Sequence, residues 1–309
     1  MRPASARGAA LVLVLWLIVL LTAVVGAYVL TARTGGLQGR VELRQLQGDA
    51  AARAGVEYAL WRLNHPEPAL RWHPDGRPYQ WQYGGAGLEL RITDERGKVD
   101  LNRAPPTLLQ ALMEALGIEP GRAAMLAARI VDWRDTDDLP GPDGAEGPAY
   151  LAAGRAYGAK DAPFETVGEL LQVLGIGPDE HRNLAPWLTV HSGLARPEPA
   201  FAGLPVLEAL ALPGAAELAG LRERAAAAGA MPAPGVDPGP RPDADTSAWR
   251  LLQVAEGGAF RRGTYSIDSL ARLPDGSRTV TRAVVSPRGT GALGTGYVVL
   301  AWEEGASPQ

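Results

Sequence analysis

Six carboxylates fall within 15 residues, at Asp132, Asp135, Asp137, Asp138, Asp143 and Glu146. The residues between them include Leu139-Pro140-Gly141-Pro142 and Gly144-Ala145, a loop composition. Carboxylates at that density repel one another unless a cation offsets them. Ca²⁺ suits such a loop, because it is hard, takes about six to eight oxygen ligands and tolerates irregular geometry. Asp135, Asp137 and Glu146 occupy positions 1, 3 and 12 of an EF-hand-like window. Leu139 and Pro140 stand at positions 5 and 6, where an EF-hand needs an oxygen ligand and Gly, so this is not an EF-hand. A solvated acidic loop with one Asp capping a helix reads the same residues differently. Zinc has little support, since His65, His73, His181 and His191 share no ligand spacing.

Catalytic constellations find no footing. There is no G-x-S-x-G and no H-E-x-x-H, and Gly97-Lys98 is followed by Val99 where a phosphate-binding loop needs Ser or Thr. Gly289-Thr290-Gly291-Ala292-Leu293-Gly294 spells G-x-G-x-x-G, but strand-like segments flank it and no helix follows, so it reads as a hairpin loop. The expectation is a protein that is not an enzyme.

Helix-turn-helix units surround the acidic loop. Leu108–Ile130, Leu170–Leu188 and Val206–Arg222 each read as helix, tight Gly/Pro turn, helix, and resemble helix-hairpin-helix or sterile-alpha-motif-like modules. Such a Gly-Ile-Gly hairpin can offer backbone N–H groups to phosphate, which raises a membrane-anchored DNA receptor of the competence type. Charge argues against it. Between Pro105 and Val190 there are six Lys/Arg against 13 Asp/Glu, and Gly175-Ile176-Gly177 runs into Pro178-Asp179-Glu180 where a phosphate clamp wants amines. No nucleic-acid partner is expected.

Around the helical block the pattern is β. Tyr79–Tyr83 and Leu88–Thr93 alternate across Gly84–Gly87, and Asp94–Lys98 is a turn before Val99–Asn102. Strands return at Trp249–Ala255, Tyr265–Leu273, Thr279–Ser286 and Tyr297–Glu303, with Pro274–Ser277 as a turn. Residues 229–248 hold five Pro and three Gly, a linker composition. Strands on both sides of a helical block predict an α+β fold: one antiparallel sheet, a large inserted α-helical domain over 105–228, and a long helix on one face of the sheet. The 309 residues, 46% hydrophobic and 21% charged, suffice for two modest domains, and the net charge of −4 disfavours a general nucleic-acid binder. With no Cys, disulfides, thiolate zinc sites, iron–sulfur clusters and cysteine nucleophiles are excluded.

The N-terminus supplies the long helix. Met1–Arg7 is short and basic, Gly8 follows, and the 24 residues Ala9–Ala32 carry no charge. As a helix they reach about 36 Å, enough for a bilayer core of about 30 Å. The basic leader predicts a cytoplasmic N-terminus with the bulk of the chain outside the cytoplasm. The run is too long for an ordinary secretory signal and ends in no clean Ala-x-Ala site. A plain single-pass anchor fits, and so does a prepilin-type leader, cut after Gly8 so that the mature chain begins at Ala9. Val41–Leu63 continues with apolar residues at helical spacing, while Gly35, Gly36 and Gly39 predict a kink between the two halves.

A long N-terminal helix, half apolar and half amphipathic, resembles the spine of type IV pilins and pseudopilins. That family usually carries Glu at the fifth mature position, paired with a neighbour's N-terminal amine. Here Leu13 stands there, which suggests a subunit at the fibre tip with no neighbour above it. Further motifs are Asp94-Glu95-x-Gly97-Lys98-x-Asp100-Leu101-Asn102, Asp132-Trp133-x-Asp135-x-Asp137-Asp138, Gly144-Ala145-Glu146, Glu169-Leu170-Leu171 and a final Ala301-Trp302-Glu303. Together they resemble the large minor pseudopilin of type II secretion systems, the general secretion pathway protein K family. The resemblance implies a leader (1–8), a transmembrane helix (9–32), a pilin-like domain in two parts (33–104 and 249–309) and the helical insertion (105–228) followed by the linker (229–248). It also implies processing by a prepilin peptidase with methylation, an inner-membrane location with a periplasmic bulk, and calcium near the acidic loop. The implied partners are the I and J minor pseudopilins, with secreted substrates or the outer-membrane secretin beyond them. A minor pilin of a type IV pilus remains the alternative that the leader alone leaves open.

Overall fold

The computed structural model describes residues 7–67, 70–229, 263–287 and 296–305. Most of the leader, the linker, the strand predicted at Trp249–Ala255 and the glycine loop at 289–294 lie outside these residues. Helix α1 (Arg7–Leu63) is 57 residues long, about 85 Å of helix. It passes through Gly35, Gly36 and Gly39 without interruption, so the break expected there is absent. Helix-favouring Leu, Ala and Arg on both sides offset the roughly 1 kcal/mol that each Gly costs. The helix ends where Asn64 turns its side-chain amide back onto the Leu60 carbonyl at 2.9 Å, satisfying one of the last open acceptors.

Five antiparallel strands form one sheet in the order β1-β2-β5-β6-β7: β1 (Asp75–Tyr83), β2 (Ala86–Asp94), β5 (Tyr265–Arg272), β6 (Arg278–Pro287) and β7 (Tyr297–Glu304). The β1–β2 hairpin turns at Gly84-Gly85, both at positive φ, where a side chain would be strained. Along β2 every second residue, Leu88, Leu90 and Ile92, is buried and faces α1. From α1 the core receives Ala51, Ala52, Val56, Ala59 and Leu63. At the β1 edge Tyr58 stacks on Trp81 with centroids 4.1 Å apart, and at the other edge Arg53 lies 5.3 Å over the Trp302 ring.

The close fit of helix on sheet depends on Gly48 and Gly55, one heptad apart on the same face of α1. A Cβ on Gly55 would meet the Ser269 hydroxyl and come within 2.7 Å of the Leu88 and Leu90 methyls, all fully buried. Gly55→Ala is therefore expected to destabilise the protein by about 1–3 kcal/mol despite the better helix propensity of Ala. A denaturant titration against wild type reads this difference.

Asp94, the last residue of β2, is the register partner of Tyr265, the first residue of β5. The whole helical unit thus replaces what would be a tight β2–β5 connection. It holds α2 (Pro106–Ala115), α3 (Pro120–Arg134), α4 (Gly147–Ala152), α5 (Pro178–Leu184), α6 (Leu204–Ala209) and α7 (Ala215–Gly229). Its core is separate from that of the sheet and centres on Leu109, Leu112, Leu126, Ile130, Tyr150 and Leu170. Two details differ from the sequence reading. A short parallel pair, β3 (Val99–Asp100) with β4 (Leu188–Thr189), stands inside the helical block. The second helical unit opens with a 3-10 turn at Val167–Gln172 rather than an α-helix, with Glu169 accepting from the Thr166 N–H at 3.0 Å.

Candidate functional site

Two regions carry functional chemistry: the acidic loop and the exposed length of α1. The last turn of α3 buries Asp132 and Trp133, and the helix ends at Arg134. The loop Pro140–Gly144 then folds over Asp132. Gly141 N–H donates to its carboxylate at 3.2 Å, and Gly144 packs so closely against it that a side chain there would overlap the carboxylate. These contacts explain the two glycines. Arg134 is drawn away from the acids: its guanidinium donates to the Leu101 carbonyl and, at 2.6 Å, to the Ala104 carbonyl. Arg134 thus offsets Asp135 only in part and makes no ion pair with the cluster.

Glu146, only 3% exposed, faces into the cluster just before α4. Burial, together with Asp132, Asp161, Asp135 and Asp138, pushes its carboxyl up to about 7. Asp135 is raised as well, first by burial and then by Asp132, Asp137 and Asp161. One oxygen on each of Asp135, Glu146 and Asp161 is buried with no hydrogen-bond partner. The structure therefore brings Asp132, Asp135 and Glu146 together and adds Asp161, whose backbone takes a positive φ of 52°. Asp137, Asp138 and Asp143 are exposed, and Asp137 spends an oxygen on the Leu139 N–H at 3.0 Å. As the side chains stand, no three His, Asp or Glu among the described residues are disposed to hold a metal ion. The donor chemistry, carboxylate oxygens with open lone pairs and no sulfur or imidazole, nevertheless fits a hard divalent cation.

Asp161 was not singled out among the candidates because it lies 15 residues beyond Glu146, outside the dense acidic segment. A signal existed in the Lys160-Asp161-Ala162-Pro163 turn, an Asp just before a Pro-containing loop.

The Gly-Ile-Gly turn is committed to the protein interior. Gly177 N–H donates to Glu180 at 3.0 Å, while Arg122 and Arg129 donate at 3.0 Å to the carbonyls of Gly175 and Leu174. With Ile176 N–H on the Val173 carbonyl as well, the Ile176 and Gly177 donors of the turn are already used.

In α1, Leu11–Tyr28 is long and apolar enough to cross a membrane, and none of it is buried. Leu13 is 71% exposed within this span. Gly8 and Ala9 lie in the first turns of the same helix. Beyond the span, Leu43, Leu46 and Trp61 stay exposed although α1 already packs on the sheet from Gly48 onward. Leu43 and Trp61 are five turns apart, so both lie on the face turned away from the sheet.

Residues 90–193 match the family described as type II secretion system (T2SS), protein K. Over this segment, about a third of its length, the chain is similar to the protein K family of type II secretion systems. The matched segment starts in β2 and contains the acidic loop, β3 and β4. The type II secretion system protein K of Pectobacterium carotovorum is 30% identical over 207 residues, 59% of this chain and 62% of that protein. The Klebsiella pneumoniae protein K is 29% identical over 143 residues, 42% of this chain and 43% of that protein. The chain thus spans less than two thirds of the length of these relatives. In overall fold it is similar to a chain in the crystal structure of the GspK-GspI-GspJ complex from enterotoxigenic Escherichia coli. The TM-score is 0.60 at 18% identity, covering 87% of this chain and 100% of that one. The fold of this chain is accordingly α+β, a pilin-like helix and antiparallel sheet with a large helical insert.

Proposed function

We propose that this chain is the minor pseudopilin at the tip of a type II secretion pseudopilus, where it starts fibre assembly and takes part in export across the outer membrane. The observation that carries the reading is the placement of the helical unit. It sits in the β2–β5 connection, while α1 runs as one unbroken helix from the apolar span Leu11–Tyr28 to the part packed on the sheet. A large unit there obstructs a further subunit stacking above, and Leu13 leaves no carboxylate to greet such a neighbour's amine. The role is structural rather than enzymatic.

In this reading a prepilin peptidase removes Met1–Gly8, methylation follows, and Ala9–Ala32 holds the protein in the inner membrane with its bulk in the periplasm. The I and J minor pseudopilins pack on α1, and the helical unit faces secreted substrates or the secretin. Calcium is the proposed cofactor. Asp132, Asp135, Glu146 and Asp161 would hold it, with Asp137, Asp138 and Asp143 at the rim. Its contribution is electrostatic: it neutralises the carboxylates and cross-links the loop to α3 and to the 161 turn. Competence-type DNA binding is not favoured, since the Gly-Ile-Gly donors are occupied.

The exposed α1 face supplies the test. Burial of a Leu side chain contributes about 1.5–3 kcal/mol, so Leu43→Asp with Leu46→Asp should weaken association at least about tenfold. Both residues are exposed, so the fold should survive. The measurement is co-purification of the detergent-solubilised full chain with the I and J subunits. An undiminished complex from a folded variant would sink the proposed docking face.

A further inference from the structure

The insertion joins the sheet through two neighbouring strand ends, Asp94 and Tyr265, and the two cores share no residue. Two units so connected hinge freely by default. The segment 94–102, which the sequence marks with its Asp-Glu-x-Gly-Lys-x-Asp-Leu-Asn pattern, occupies that joint. Asp94 is buried and grips Arg96 through two hydrogen bonds of 3.0 and 2.6 Å. The Arg96 guanidinium lies 4.4 Å over the Phe201 ring and 3.5 Å from Glu198, whose N–H donates to the Arg96 carbonyl. Gly97 abuts the Phe201 carbonyl so closely that any side chain would overlap it.

Glu95 is the centre of the joint. It is 3% exposed and pairs with Lys98 at 2.8 Å. Its carboxylate is held below the ordinary range: burial raises it, but Lys98 and the nearby hydroxyls of Thr189 on β4 and Ser266 on β5, one from each unit, outweigh that. Its N–H donates to the Thr264 carbonyl at 2.8 Å. Farther on, Asp100 accepts from Ser192 Oγ at 3.1 Å and Gly193 N–H at 2.7 Å. Asn102 exchanges two hydrogen bonds with the Phe164 backbone, of 2.9 and 2.7 Å. The segment therefore ties the sheet to four separate stretches of the helical unit, and Asp94, Glu95 and Asp100 at its core are buried.

We infer that residues 94–102 form a rigid joint, centred on Glu95, that makes the pilin-like sheet and the helical unit a single cooperative body. Orientation set at α1 is then carried to the helical unit without a hinge. The joint's existence does not depend on the secretion role.

Native-state hydrogen exchange on the full chain in detergent tests it. Leu112→Ala opens a cavity in the helical core and weakens that unit. With the joint intact, protection of the sheet amides at Leu88–Ile92 should fall together with that of Leu108–Met113, at least tenfold in both. In a second background, Glu95→Leu with Lys98→Met removes the buried ion pair but keeps an apolar fill, so folding is retained. There Leu112→Ala should change the sheet amides less than twofold. Sheet protection that ignores Leu112→Ala in the intact protein would overturn the joint on its own. Persistent coupling in the Glu95→Leu/Lys98→Met background would overturn the role of Glu95.

Discussion

Gly8→Leu is expected to leave the N-terminus uncut and to reduce secretion by at least about tenfold. The structure shows helix running through Gly8, from Arg7 onward. A peptidase must take the chain in extended form, so the junction has to be the weakest point of the helix. Gly provides that weakness, at roughly 1 kcal/mol below Ala, and has no side chain to fit into the cleavage pocket. Leu strengthens the helix and fills that space. Intact-mass measurement of membrane-extracted protein should show a chain beginning at Ala9 for wild type and at Met1 for the variant. A variant cleaved normally and active in secretion would remove the leader from the account.

The uncut variant also isolates the assembly role from simple anchoring. Leu11–Tyr28 is unchanged in it, so the protein still enters the membrane. What is lost is release of α1 from a basic prefix that cannot be drawn into lipid. Failure of secretion with normal membrane insertion therefore points to packing between subunits as the function of the helix.

The features legible in the sequence are those set by neighbours along the chain. Alternation on Tyr79–Tyr83 and Leu88–Thr93 with Gly84-Gly85 between them specifies the β1–β2 hairpin, and Pro274–Ser277 does the same for β5–β6. The apolar run and its amphipathic continuation specify α1, and only the expected break at the glycines failed, because flanking helix formers outweigh them. What escaped depends on contacts distant in the chain. The β3–β4 pair joins Val99 to Leu188 in segments of two residues each, too short for any periodicity. Asp161 joins the acidic cluster only because the loop after α4 folds back on α3. Conversely, Asp137, Asp138 and Asp143 are dense in sequence yet point outward, since Pro140 and Pro142 turn the loop so that its glycines, not its acids, cover Asp132. The segment 94–102 was visible as a pattern, but its role emerges only where Glu95 meets β4 and β5 at once.

Chelation of divalent cations is expected to lower the melting temperature of the protein by about 5–10 °C. A ligand present at about 100 times its Kd stabilises the folded state by roughly 2.7 kcal/mol, and 1 kcal/mol moves a domain of this size by about 2–4 °C. The physical source is the cluster itself. Three buried carboxylate oxygens lack hydrogen-bond partners, and Arg134 spends its hydrogen bonds on backbone carbonyls, so without a cation the repulsion among Asp132, Asp135, Glu146 and Asp161 is relieved only in part. Glu146→Gln with Asp161→Asn keeps shape and removes two of the charges. It should abolish the response to chelator, and in chelated solution it should melt at or above wild type, because repulsion and the cost of a buried carboxylate are both relieved. Asp135→Ala with Asp137→Ala should also remove the response, whereas Asp137→Ala alone should leave most of it, since Asp137 is exposed and bonded to Leu139. Restoring calcium, but not magnesium, should recover the original melting curve, because irregular loop carboxylates suit the larger ion. A melting curve indifferent to chelator would reject the cation site and leave the acidic loop as a solvated surface held shut by Gly141 and Gly144.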